Sequence, residues 1–349
     1  MNVEPSSKRL WLLRAAKVLI LAIVVWAVHH TLYQAWQQVG KYEWQLEPVW
    51  LAAAAGLYLT GLTVAGLFWR QVLQTMGQEA RIVEALRAYF VGHLGKYVPG
   101  KAMVVVLRTG LIRGSRVNTA VAAASVFFET LTMMAVGAFL AAAVLAAGFR
   151  EDSPLFVAAL GMMALSGLPI LPPVFRRLAR LAGVGKSDSA IRATLDRLGY
   201  GILALGVIEM TVSWGFLGLS LWATLRAMGL EGLDPWGELP RYTACVSLAM
   251  VAGFVLLVMP GGLGVREAVL IELLVPYLVR LFSDSPDPRA RAALIAVAAA
   301  ALLRLVWLLS EILAAALMYF WRPRRQDHAE AGLPAQADPD PTREAIPSR

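Results

Sequence analysis

The sequence predicts an all-α, polytopic membrane bundle of about eight transmembrane helices plus one re-entrant hairpin. Three observations lead there. The 349-residue chain is 58% hydrophobic and only 16% charged, whereas a soluble domain carries roughly a quarter charged residues. Its apolar runs repeatedly reach the roughly 20 residues that a bilayer crossing needs, where a membrane β-barrel would show short alternating segments. Its charges gather in short segments between those runs, the pattern that orients membrane helices. The formal net charge of +8 is therefore read as topology and not as a nucleic-acid footprint.

Taken in order, transmembrane helices are predicted near 11–32, 49–69, 117–148, 154–174, 199–222, 241–259, 266–282 and 292–321. The first follows Lys8 and Arg9 as a signal peptide would, but "WAVHHTLYQAW" offers no small-residue cleavage site, so it reads as an uncleaved helix. Arg14 and Lys17 near its start snorkel to the interface. His29 and His30 are adjacent, share no helix face and read as interfacial, not metal-binding. The run 117–148 exceeds one span and is tilted or extends past the membrane.

Basic residues place three segments in the cytoplasm: 70–87, 175–198 and the end of the last helix with Arg322, Arg324 and Arg325. Both termini then lie inside. Residues 1–325 form the membrane domain. The tail 326–349 is polar, proline-rich and aperiodic, and reads as disordered. Cys245 is the single cysteine, so no intramolecular disulfide or cysteine-based metal site is expected. Many of the eleven tryptophans fall at helix ends, an aromatic belt.

Residues 86–114, "LRAYFVGHLGKYVPGKAMVVVLRTGLIRG", do not fit as a further crossing. Basic residues flank the stretch on both sides. A continuous helix would lose a hydrogen bond at Pro99 and put Lys96 and Lys101 into hydrocarbon. A hairpin that enters and leaves on one side satisfies both facts, provided protein or water covers its backbone.

The second broken stretch is "VMPGGLGVREAVLIELL", from Val258 to Leu274. One Pro-Gly turn alone reads as an ordinary helix–loop–helix turn with Arg266 and Glu267 paired at the surface. Two of them, Pro99–Gly100 and Pro260–Gly261–Gly262, each followed by an arginine (Arg108 and Arg266) and one in each half, point to a transport site. A break frees backbone groups and aims a half-helix dipole at the gap. An arginine adds a fork suited to phosphate. The expectation is an anion site at the membrane face, with Arg108 and Arg266 converging on one headgroup.

These two segments resemble the hallmark segments of the lysylphosphatidylglycerol synthase transmembrane, or flippase-like, family of bacterial and archaeal membrane proteins. The resemblance covers roughly residues 10–320. It carries over Lys96, Tyr97, Pro99, Gly100 and Arg108 from the first segment. From the second it carries over Pro260, Gly261, Gly262, Gly264, Arg266 and Glu267. Arg304 resembles a late-helix arginine of the family. Glu129 sits where many members have Glu-Arg, but Thr130 follows here, so a local ion pair is missing. The resemblance implies a lipid translocase. The long soluble aminoacyl-transferase domain of the bifunctional synthases is not in this sequence, so synthase activity is not implied.

Ionisable residues deep in helices are costly and usually functional, and Glu129, Glu209 and Arg304 are the deepest. Glu311 lies two turns after Arg304 on one face. They read either as a polar path for a headgroup or a proton, or as interhelical pairs that hold the bundle. No H-E-x-x-H, G-x-S-x-G or Walker A pattern is present. The expectation is therefore a transporter and not an enzyme, with no catalytic residues, metal or cofactor. It would sit in the bacterial inner membrane and move an anionic phospholipid, glycolipid or lipid-linked intermediate between leaflets. The rivals are a membrane-embedded lipid-phosphate transferase and a non-catalytic subunit accompanying lipid or glycan biosynthesis enzymes.

Overall fold

The computed structural model describes residues 46–97, 102–112, 117–148, 157, 161, 165–184, 189–255 and 264–320. The predicted helix 11–32, nine residues of the 154–174 span (154–156, 158–160 and 162–164) and the tail lie outside them, as do Pro99, Gly100, Lys101, Pro260, Gly261 and Gly262. The helical membrane class is as expected, with no strand among the described residues.

Among the described residues, four helices are long and apolar enough to cross a bilayer. They are α1 (Pro48–Thr75), α4 (Thr119–Gly148), α7 (Tyr200–Ala227) and α10 (Pro288–Phe320). Between α1 and α4 lie α2 (Ile82–His93), a 3-10 turn (Leu94–Tyr97) and α3 (Ala102–Ile112). Two short helices, α5 (Pro172–Leu181) and α6 (Ser189–Asp196), precede α7. The pair α8 (Leu239–Val255) and α9 (Val265–Leu281) precedes α10.

Lipid is as apolar as leucine, so packing and polar contacts must hold membrane helices together. Here α1 and α7 are joined by serine hydroxyls that donate to backbone carbonyls of the facing helix. Ser213 bonds the Gly61 carbonyl and Ser220 the Ala54 carbonyl, both at 2.8 Å. Trp307 of α10 donates its indole N–H to the Ser220 hydroxyl at 2.9 Å, tying in a third helix. On the other side, Trp214 of α7 donates to the Met133 carbonyl of α4 at 2.9 Å.

The stretch 86–114 forms the expected hairpin in its described part. With 12 and 11 residues, α2 and α3 reach about 18 and 17 Å at 1.5 Å per residue. Neither alone crosses a core about 30 Å thick. They pack directly on each other. A Cβ on Gly95 would sit 2.7 Å from the Val104 backbone nitrogen, so only glycine lets the turn lie against α3.

The helix after the second break starts at a depth the sequence reading did not give it. Glu267, in the first turn of α9, forms an ion pair with Arg304. Arg304 is the central residue of α10, sixteen positions from either end of Pro288–Phe320. The start of α9 is therefore level with the middle of a helix about 50 Å long, not at a membrane face. The hairpin turn after α2 reaches the other half of α10, where Lys96 bonds Glu311 at 2.5 Å. Two broken elements thus approach one another along α10 inside the bundle.

Replacing Gly95 by alanine should force the turn away from α3. Overpacking of this kind costs about 1–3 kcal/mol, read as a lowered unfolding midpoint of the detergent-solubilised protein. Gly110→Ala is the control, because an added Cβ there meets nothing within 4 Å; it should leave the midpoint unchanged.

Candidate functional site

The site is assembled from helical spacing. On the hairpin, Tyr89, His93, Lys96 and Tyr97 recur at i, i+4, i+7 and i+8, one face of a helix. On α10, Arg304, Trp307 and Glu311 recur at i, i+3 and i+7. The two faces meet, with Tyr58 of α1 closing one side and the first turn of α9 closing another.

Glu311 is the centre and is 1% exposed. Its Oε1 accepts from Lys96 Nζ at 2.5 Å and from the Tyr58 hydroxyl. Its Oε2 accepts from the Tyr97 hydroxyl at 2.9 Å. Three donors from two separate elements hold one carboxylate, as a buried anion requires. Lys96 Nζ also lies 3.0 Å from His93 Nε2. Tyr58 in turn stacks on Trp307 with ring centroids 4.2 Å apart.

The first turn of α9 brings the second pair. Gly264 starts the helix at φ +81, a conformation that glycine tolerates without strain. Its N–H donates to Glu267 Oε2 at 2.8 Å. The other oxygen of Glu267 takes Arg304 Nη1. Arg266 places its guanidinium 4.5 Å from the centre of the Trp307 ring. No ion pair to Arg266 is found among the described residues. Arg266 and Arg304 both lie within electrostatic reach of Lys96 and Tyr97. The described charges at this place are thus three cations, Lys96, Arg266 and Arg304, against two carboxylates, Glu267 and Glu311.

Arg108 belongs to a second cluster. It is 2% exposed, and its Nη1 donates to Glu129 Oε2 at 2.6 Å. Its guanidinium lies 3.9 Å from the centre of the Tyr89 ring and 5.6 Å from that of Trp69. The Tyr89 hydroxyl donates to Glu129 Oε1 at 3.1 Å. Glu129 therefore has its ion pair from the neighbouring helix α3, while Thr130 beside it offers no charge. The expected convergence of Arg108 and Arg266 on one headgroup is not the arrangement of the described residues. Arg108 is closed upon Glu129, while Arg266 lies over Trp307. Tyr89 and His93, stacked with centroids 5.9 Å apart, connect the two clusters.

Glu209 joins neither. It accepts from Gln71 at 2.9 Å, between α7 and α1. Its Oε2 and the Gln71 Oε1 have no partner among the described residues.

Sequence reasoning named Lys96, Tyr97, Arg266, Glu267 and Arg304, and the structure brings them together. It did not single out Tyr58, Tyr89, His93 or Trp307. The signal for the last three was the heptad-like spacing around residues already chosen; nothing local marks Tyr58.

Residues 14–283 match the family described as the Lysylphosphatidylglycerol synthase TM region, so the chain belongs to that family. No curated protein matches the chain. The matched region holds both broken elements. Helix α10, which supplies Arg304, Trp307 and Glu311, follows it. Membership makes this a helical membrane protein of a lipid-associated family.

Removing one partner of a buried ion pair costs about 3–5 kcal/mol, because the other charge is left uncompensated. Glu129→Gln and Arg108→Gln should each destabilise the detergent-solubilised protein by that order. The double variant should be less destabilised than the sum of the two, and a thermal-melt double-mutant cycle measures the coupling. Additive losses would mean that the pair is not energetically coupled.

Proposed function

We propose that this chain is a lipid translocase and not an enzyme, moving a lipid with an anionic headgroup between leaflets of the bacterial inner membrane. The observation that carries the reading is the cationic excess at the middle of α10. Lys96 and Arg304 each have a carboxylate in ion-pair contact, while Arg266, among the described residues, has an aromatic face and the more distant charge of Glu267. Arg266 is thus the cation that a phosphate can engage first. Guanidinium binds phosphate through two parallel N–H donors, and a cation desolvated beside an aromatic ring binds an anion strongly.

The neighbouring pairs then serve a reversible purpose. Glu267 and Glu311 neutralise Arg304 and Lys96 in the empty protein. A phosphate arriving at Arg266 competes for those same cations. The Leu94–Tyr97 turn and the first turn of α9 bring charge to the interior, as the broken helices of transporters do, and the lipid tails stay in the bilayer. The lipid association of the family to which the chain belongs supports a lipid substrate.

Arg266→Gln should lower leaflet exchange of a fluorescent phosphatidylglycerol in proteoliposomes about 10- to 100-fold, the size of one lost hydrogen bond to a charged group. Arg266→Lys should keep part of the rate, because it keeps the charge but not the fork. Exchange at the wild-type rate in Arg266→Gln, at matched protein amount, would remove Arg266 from the proposal.

With both termini cytoplasmic, Arg180 faces the cytoplasm and Asp287 faces outside. Cysteines placed singly at these positions in a Cys245→Ser background should label accordingly with an impermeant thiol reagent. Labelling of position 180 from outside would reverse the orientation.

A further inference from the structure

We propose that His93, Lys96 and Glu311 form a proton-binding site, and that one proton enters with each singly charged anionic headgroup. This rests on the translocase reading and supplies its energy source.

The geometry is specific. Lys96 Nζ bonds both Glu311 Oε1 at 2.5 Å and His93 Nε2 at 3.0 Å, and His93 Nε2 is 3.7 Å from Glu311 Oε1. An ammonium has three donors and no acceptor. Its bond to Nε2 therefore requires the lone pair there, with His93 neutral and its proton on Nδ1. The empty triad is ammonium, imidazole and carboxylate.

A further proton has two places to go, and both undo the same contact. On Glu311 it gives a neutral acid, which loses its charge-assisted hold on Lys96, Tyr58 and Tyr97. On His93 it gives an imidazolium 3.0 Å from an ammonium, and Lys96 must turn away. In either case one O–H or N–H bond forms, no bond between heavy atoms changes, and Lys96 becomes available to an anion. The groups facing the triad act in the same direction. Arg266 and Arg304 act on Lys96, and Arg108 acts on His93, so positive charge surrounds an added proton until an anion is present. Glu267 is held by Arg304 and leaves that surplus in place.

Charge counting gives the stoichiometry. Among the described residues, with His93 neutral, Lys96, Arg266 and Arg304 against Glu267 and Glu311 leave one positive charge. A headgroup of one negative charge together with one proton leaves the same value. Empty and loaded sites then carry equal charge inside the bilayer, where each uncompensated charge is costly. Proton and headgroup favour each other's binding reciprocally.

The experiment uses the full chain in proteoliposomes with acyl-labelled phosphatidylglycerol and an imposed pH gradient, with protein-free vesicles subtracted. One-to-one coupling should drive the label to the leaflet facing the alkaline side, with about a tenfold leaflet ratio for each unit of gradient. Glu311→Gln and His93→Gln, checked for folding by size-exclusion profile and melting, should hold the ratio at one under the same gradient. Wild-type exchange with a ratio of one under the gradient overturns the proton site and leaves the translocase reading intact. No wild-type exchange under any gradient overturns both. A tenfold ratio that persists in both variants puts the proton elsewhere and overturns this assignment.

Discussion

A carboxylate buried inside a membrane bundle must be neutralised, and the packing around Glu311 follows from that need. Its three donors come from α1 and from the turn of the α2–α3 hairpin. Losing any of them leaves an anion partly uncompensated at a depth where water does not reach. The hairpin turn is thereby fixed against α10, although neither hairpin helix is long enough to be held by spanning the bilayer. The Arg304–Glu267 pair does the same for the first turn of α9. Two short elements that hydrophobic burial alone would position poorly are placed by charge.

Aromatic rings complete the scheme. Trp307 lies between the two ionic contacts on α10, with Tyr58 stacked on it and Arg266 nearby. Its indole N–H is anchored on Ser220 of α7. A ring held at its edge by a hydrogen bond and at its face by stacking has little freedom. It gives Arg266 a surface that compensates the guanidinium only in part. A full carboxylate partner would hold Arg266 more firmly and leave less attraction for a ligand.

The helical membrane class and the hairpin at 86–114 were legible in the sequence, because both follow from length, hydropathy and the place of Pro99 between two lysines. Lys96, Arg266, Glu267 and Arg304 were legible because a charge in an apolar run is conspicuous. The pairing was not. Glu267 was read with Arg266 beside it, and Arg108 with Arg266 across the two halves. The structure pairs Glu267 with Arg304, 37 positions on, and Arg108 with Glu129. Helical periodicity gives the face of a residue but not its height against another helix. For that reason the depth of the second break was placed at a membrane face when α9 begins level with the centre of α10. Tyr58 lay beyond reach for the same reason: it meets Glu311 across 253 positions.

The ion pairs also bear on how such a site can change state. Apolar packing of equal volume would often stabilise a bundle as well as a buried pair does, but it would not respond to a ligand. A pair responds, because any anion that reaches Lys96 or Arg304 competes with Glu311 or Glu267 for the same donors. The carboxylate released must then find a proton or another cation. His93, already bonded to Lys96 and stacked on Tyr89, is the group placed to take part in that exchange. Through Tyr89 it also touches the Arg108–Glu129 cluster, which holds α3 to α4. A change of charge at Glu311 is thereby felt by the partner helix of the hairpin as well as by its turn.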